Sequence, residues 1–495
     1  MDILRLRDNR FDSKGRRFSR SGVNWTAAKD TSDGLDEQLV SDEQRKLLEK
    51  FKDWDFGTLE SLSPKGVVVL SGSHLDTGDR KSLRFLENHP IGDDGFRLDT
   101  GNLMGVLRFR DPDGGASVQV EVLSRFDKGT NNFFLNYLLL KAFNCAFGAE
   151  EVAAEHSSLL DLLLDILFVR KLGEAAKNGL LRQYRTFRNN DWDFKGRLDL
   201  PRHLRENVPL PQGIAYVKRE IDFDVPVNRM ILLAALAVRR RHPSLFENNE
   251  SARDALRELR INVPEPGDVR AVLAHRDCRE PIRHPFYRDI WEPLRGIARM
   301  ILEDERWTLF GEAPEEEVSG VVFDGSWLWE EYVATVLEKA GLRHGTEPVL
   351  RVFKYKDKRF VPDFYRPNGS GEQECDIVLD AKYKRSNPAG QREDVHQVLC
   401  YLLLTGAKLG GLVFPPVDER CESADDCNSE TYGAESGRWS SVKNIASPYS
   451  KQGSIRWSCF SWASIKDENM ASWDAFRKYM ESQEGRLKEL PSGQQ

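Results

Sequence analysis

Cysteine is scarce: seven residues in 495, an odd number with no C-x-x-C among them, which argues against a zinc framework or a disulfide scaffold and for ordinary thiols in a reducing compartment. Long apolar runs are missing too. The longest, Met230 to Val238, is nine residues, well short of the roughly 20 that a membrane helix needs. The opening stretch MDILRLRDNRFDSKGRR has no apolar core of a signal peptide, so a cytoplasmic protein without a membrane partner is expected. No G-x-x-x-x-G-K-[ST] loop occurs, and GSGEQE at 369–374 reads as a turn between strands, so any nucleotide-driven motion must come from another chain. Internal repeats are absent. A net charge of −7 neither favours nor excludes nucleic acid, because a local patch matters more than the total.

What is present is a long soluble chain, 40% apolar and 31% charged, too large for one ordinary core. Its patterning predicts three consecutive regions. Residues 1–125 read as β-rich: GVVVL (66–70) is a buried strand, and VLRFR (106–110) faces VQVEV (118–122) across the turn DPDGGAS. Residues 126–310 read as mainly helical, with Asp161 and Asp165 forming a polar stripe at i,i+4 on one helix. Residues 311–495 alternate helix and strand as an α/β domain, interrupted by a Ser-, Asp- and Asn-rich insertion near 418–454. A last strand, SIRWSCFSW, and a helix near 472–489 close the chain.

The chemistry concentrates in that last region. ECDIVLDAKYK reads as a buried strand, and side chains two apart share a face. Asp380 and Lys382 therefore stand side by side, about 7 Å apart along the strand. A charged pair closing an apolar strand is costly unless something pairs with it or uses it. Asp363 ends the preceding strand, RFVPDF, and two carboxylates on adjacent strands can share a hard cation such as Mg2+, with Mn2+ as an alternative. Lys382 could orient a water or offset charge on a phosphate. Glu330, with Glu331 in the helix WLWEEYVATVL, offers a third acid, while Gln397 and Tyr401 share a helix face at i,i+4. Each feature alone has a bland explanation. D-A-K is usually a surface strand end, Glu330 and Glu331 a solvated face, and Tyr401 a core aromatic. Their order along the chain is what raises the odds.

That order, Glu330, P-D at 362–363, D-A-K at 380–382 and Q-V-L-C-Y at 397–401, resembles the PD-(D/E)xK nuclease core with a RecB-like Q-x-x-x-Y helix. More narrowly, WEEYVATVL, VLDAKYK and DVHQVLCYLL resemble the McrC-type subunit of the 5-methylcytosine-specific McrBC restriction system. Upstream, VEVLSRFDKG (120–129), residues 180–207 and residues 219–236 are similar to the same family. The resemblance covers Val120 to Pro416 and implies a Mg2+-dependent DNA endonuclease working with an AAA+ GTPase motor of McrB type. It also implies Asp363 and Asp380 as metal ligands, and Lys382 and Glu330 as catalytic groups supported by Gln397 and Tyr401.

Between Phe168 and Glu206, ten Lys or Arg face five acids, with Tyr184, Phe187 and Trp192 among them. Such a basic stripe suits phosphate contacts, making Lys195 and Arg197 candidate contacts to double-stranded DNA beside Lys384 and Arg385. A solvated helix surface explains it equally well, and so does an interface with the motor. Two other functions stay open: a stand-alone RecB-like nuclease and a cleavage-inactive regulator of the GTPase.

Overall fold

The computed structural model describes residues 2–10, 14–29, 35–50, 54–62, 67–70, 83–111, 116–127, 132–144, 159–210, 212–310, 318–345, 350–351, 359–368, 375–384, 392–416, 435–440, 443–445 and 455–491. It is a mixed α/β protein whose chain divides into two units, one of residues 1–160 with 316–495, the other of residues 161–315. This differs from three consecutive regions. The strand Val318–Asp324, expected in a C-terminal domain, pairs with Leu103–Arg110 on one edge and Val67–Leu70 on the other. Asp2–Arg7 and Ser117–Leu123 complete that five-stranded sheet. The apolar run in VSGVVFD suits a buried strand but does not name its neighbours. Gly105 and Gly320 let the two central strands meet, since a Cβ on either would lie 2.0–2.1 Å from a carbonyl oxygen across the ladder. The hairpin of Leu103–Arg110 with Ser117–Leu123 forms as predicted, with both of its faces buried.

The first unit holds two further large sheets. Six short strands between Arg16 and Asp99 form one of them. The other runs in the order Arg343–His344, Phe364–Pro367, Cys375–Ala381, Leu409–Phe414, Ile455–Trp457, Lys443–Ile445, with Phe460–Ser461 and Glu435–Ser436 attached. Cys375–Ala381 lies inside it, antiparallel to Phe364–Pro367 and parallel to Leu409–Phe414. A parallel pair needs a crossover, and the helix Arg392–Thr405 supplies it. Val395, Val398, Tyr401 and Leu402 recur at helical spacing and pack on Val378, Leu412 and Phe414. The insertion near 418–454 lies largely outside the described residues; its Glu435–Ser436 and Lys443–Ile445 are sheet strands.

The second unit is helical around Pro226–Arg241, which packs against Pro285–Phe310 and buries Met230, Ile231, Ala234 and Val238. Two expectations change here. Asp165 is not on a polar stripe but buried: Arg241 grips its carboxylate at 2.6 and 3.0 Å, and His242 Nδ1 lies 2.9 Å away. The helix Leu159–Ala176 is buried nearly all round from Leu162 to Val169, so Asp165 cannot mark a solvent face. The basic stretch is a helix surface only in part: Arg170 and Lys171 lie on Leu159–Ala176, Arg202 and Arg205 on Leu200–Asn207, and its middle is a sheet. Gln183–Asp191 pairs along its whole length with Ile214–Asp222, and Arg197–Leu198 adds a short third strand. No helix among the described residues is long and apolar enough to cross a membrane.

Candidate functional site

The acidic pair is assembled by three neighbouring elements. Phe364 pairs with Leu379, so Asp363, one residue earlier, falls beside Asp380, one residue later. The Asp363 carboxylate is fixed there by the Ala381 N–H, which donates to Oδ2 at 2.8 Å. Asp380 itself is 0% exposed. Beyond it the Lys382 N–H donates to the Val413 carbonyl at 2.9 Å, holding the strand end to its parallel neighbour. The Lys382 ammonium lies 2.5 Å from Asp380 Oδ2 and donates to Gln397 Oε1 at 3.0 Å. Gln397 Nε2 in turn donates to the Tyr401 hydroxyl at 3.0 Å. Asp363, Asp380, Lys382, Gln397 and Tyr401 are thus brought together. Tyr401 is also a core residue of the sheet–helix contact, so its ring packs while its hydroxyl reaches the polar chain.

Burial explains most of the electrostatics. It pushes the Asp363 carboxyl well above the usual range, the charges of Asp380 and Glu330 push the same way, and Lys382 opposes them. The residue as a whole is only partly exposed, and its carboxyl end sits deep among protein atoms. Asp380 is also raised by burial, against the pull of Lys382. For Lys382, burial disfavours the charge, yet Asp380 and Asp363 outweigh it and raise the lysine. Were both carboxyls ionised, the one ammonium would leave negative charge in excess, which a further cation would offset.

The donor set fits a hard divalent ion. Asp380 Oδ1 is buried without a hydrogen-bond partner, an acceptor left open in a packed sheet. Oxygen ligands from one or two carboxylates suit Mg2+, which keeps several waters and rarely sits in an all-protein cage. Among the described residues no group of three or more His, Cys, Asp or Glu side chains forms such a cage. Glu330 is close enough to raise both aspartates, but its Oε1 meets His344 Nε2 at 2.8 Å. Burial works against a charged His344, and the Glu330 hydrogen bond overrides it and raises the imidazole. His344 escapes a reading of the sequence because it lies 14 residues from Glu330 and outside any motif. Asp394, buried and ion-paired with Lys384, is the other unforeseen neighbour; its place one turn before Gln397 on Arg392–Thr405 was the available signal. Lys384 is therefore engaged within the unit, and Arg385 lies outside the described residues.

Lys195 and Arg197 belong to the second unit, on the exposed three-stranded arm, where Lys195 pairs with Asp193. The arm shows apolar surface as well as charge. Trp192 is 68% exposed and Leu210 76%, with Tyr184, Leu200, Leu204 and Val208 also open. These exposed apolar side chains are spread along the arm, from Tyr184 at one end of the paired strands to Trp192 past the other.

Residues 98–415 match the family described as McrBC 5-methylcytosine restriction system component. The chain belongs to this McrBC family. No curated protein matches it. Among solved structures it is similar to a chain in a half-complex from a tetradecameric assembly of Thermococcus gammatolerans McrB AAA+ hexamers with bound McrC. That likeness has 15% identity and a TM-score of 0.40, and covers 88% of this chain and 92% of that one. A second likeness, to the Thermococcus gammatolerans McrBC complex, has 14% identity and a TM-score of 0.31, with 68% and 88% covered.

Proposed function

We propose that this McrBC-family chain is the McrC-type nuclease subunit, with a PD-(D/E)xK centre that hydrolyses DNA phosphodiester bonds in the cytoplasm. The observation that carries the reading is Asp380: a fully buried carboxylate with an open oxygen, beside Asp363 and salt-bridged to Lys382. Burying such a group costs several kcal/mol, so a use for it is the economical explanation. Asp363 and Asp380 would hold Mg2+, with Mn2+ as a substitute, and a bound ion there supplies Lewis acidity toward a phosphoryl oxygen and a more acidic water. Lys382, steered by Asp380 and Gln397, places a positive charge where the phosphate gains negative charge. Tyr401 orients Gln397, and Glu330 with His344 borders the acidic pair. The separate motor would be an AAA+ GTPase of McrB type, and the exposed apolar arm of the second unit supports a protein partner for that surface.

The test is a cleavage assay on linear duplex DNA carrying 5-methylcytosine, with the full-length chain, its AAA+ partner, GTP and Mg2+. Cleavage is expected only with partner and metal present, and EDTA should stop it. Full-rate cutting without the partner would establish the stand-alone nuclease instead. Raised GTP turnover with no cleavage under any metal would establish the regulator.

A further inference from the structure

The segment Ser124–Asp127 takes no part in the acidic pair, yet it leads to it through Tyr383, the residue after Lys382. Ser124 Oγ and the Tyr383 hydroxyl are 2.8 Å apart, and the Phe126 ring meets the Tyr383 ring edge-on at 5.0 Å. Arg125 is 8% exposed at its side chain. Its guanidinium lies 4.9 Å from the Tyr383 ring centroid, and its Nη2 donates to the Tyr383 carbonyl at 2.5 Å. Asp8, at the end of the strand Asp2–Arg7, accepts from the Arg125 N–H at 2.6 Å and faces the guanidinium at 3.7 Å. Asp127 is turned the other way, capping the helix Phe133–Ala142 through the N–H groups of Phe134 and Leu135.

This arrangement does more than fill space. Past Ala381 the strand has ended, and a carbonyl that leaves a sheet inside a protein needs a new donor. Arg125 provides it. The arginine is an expensive donor, because its Nε and Nη1 are buried without hydrogen-bond partners. An apolar side chain would pack at lower cost but could not hold the carbonyl. On the other side, Lys382 N–H is bonded to Val413, and Lys384 N–H to the Lys382 carbonyl.

We infer that Arg125, oriented by Asp8, is a positioning residue for Lys382: it grips Tyr383 by carbonyl and ring, and so fixes where the Lys382 ammonium meets Asp380. What Lys382 then does rests on the nuclease reading; the grip on the strand end does not. A misplacement of about 1 Å can cost on the order of a hundredfold in rate, so the grip matters to chemistry even if the fold survives without it.

The experiment uses full-length Arg125→Ala and Arg125→Lys with the motor partner, Asp380→Ala as control, and two readouts. In the cleavage assay at saturating DNA, Arg125→Ala should lower the maximal rate by at least about tenfold and leave the half-saturating DNA concentration unchanged. In amide hydrogen exchange, the Lys382 and Lys384 N–H groups should exchange faster, while those of Phe134 and Leu135 keep their wild-type rates. Arg125→Lys keeps the charge facing Asp8 but loses the planar stack, so it should show both effects even if the alanine variant unfolds. Wild-type behaviour of the lysine variant in both readouts would overturn the inference, as would exchange that rises equally at all four amides. Should Asp380→Ala cut like wild type, the nuclease reading fails, and the exchange pattern alone still decides the grip.

Discussion

At the end of Cys375–Ala381 a carboxylate is sealed inside a packed sheet, whereas on the hairpin of Gln183–Asp191 and Ile214–Asp222 tryptophan, tyrosine and leucine stand in solvent. Each region reverses the usual sorting of polar and apolar groups, in opposite senses. Hidden charge is tolerated where it is balanced or used, and here Lys382 balances only part of it. Exposed apolar surface is tolerated where something covers it during function. The first reversal points to chemistry and the second to contact, so substitutions should separate the two.

The largest effect belongs to Lys382→Ala. It removes the charge beside Asp380, and cleavage should fall by about 10²–10³ or more while divalent-ion binding, followed by calorimetry, persists. Loss of both together would make the lysine a structural group. On the arm, Trp192→Ala should weaken the motor complex by about 2 kcal/mol, roughly thirtyfold in Kd, without touching cleavage chemistry or melting temperature. A stability loss instead would place Trp192 in a core and cancel the contrast. Gln397→Ala takes one acceptor from Lys382, and a drop of about tenfold in cleavage with about 1 kcal/mol lost in denaturant unfolding is expected. Tyr401→Phe is the smallest change. It removes one hydroxyl and should cost about 1 kcal/mol or less, whereas Tyr401→Ala empties a core position and should cost about 3–5 kcal/mol.

Local patterning made the acidic pair legible, because the strand Phe364–Pro367 and the strand Cys375–Ala381 are sequential and antiparallel, and the next helix packs on them. Asp363, Asp380, Lys382, Gln397 and Tyr401 therefore meet through near neighbours. Contacts between distant segments were not legible. Asp165 looked like half of a polar stripe until Arg241 and His242, 76 and 77 residues on, supplied its partners. The arm is hard to read from sequence because QYRTFRNND has no clean alternation, with Tyr184 and Phe187 three apart, and its partner strand lies beyond Asp199. Val318–Asp324 carries a practical consequence. A truncation near residue 310 would strip this strand from the five-stranded sheet, so residues 161–315 are the better piece to separate.

The most direct measurement is a paired assay on full-length Asp380→Ala with the motor partner: DNA cleavage beside steady-state GTP turnover. The account predicts that cleavage disappears while GTP turnover is stimulated as by wild type, since the substitution removes one oxygen-bearing side chain from a packed sheet and leaves the arm intact. Cleavage near the wild-type rate would contradict the assignment of the site, and loss of stimulation together with cleavage would contradict the separation of chemistry from contact.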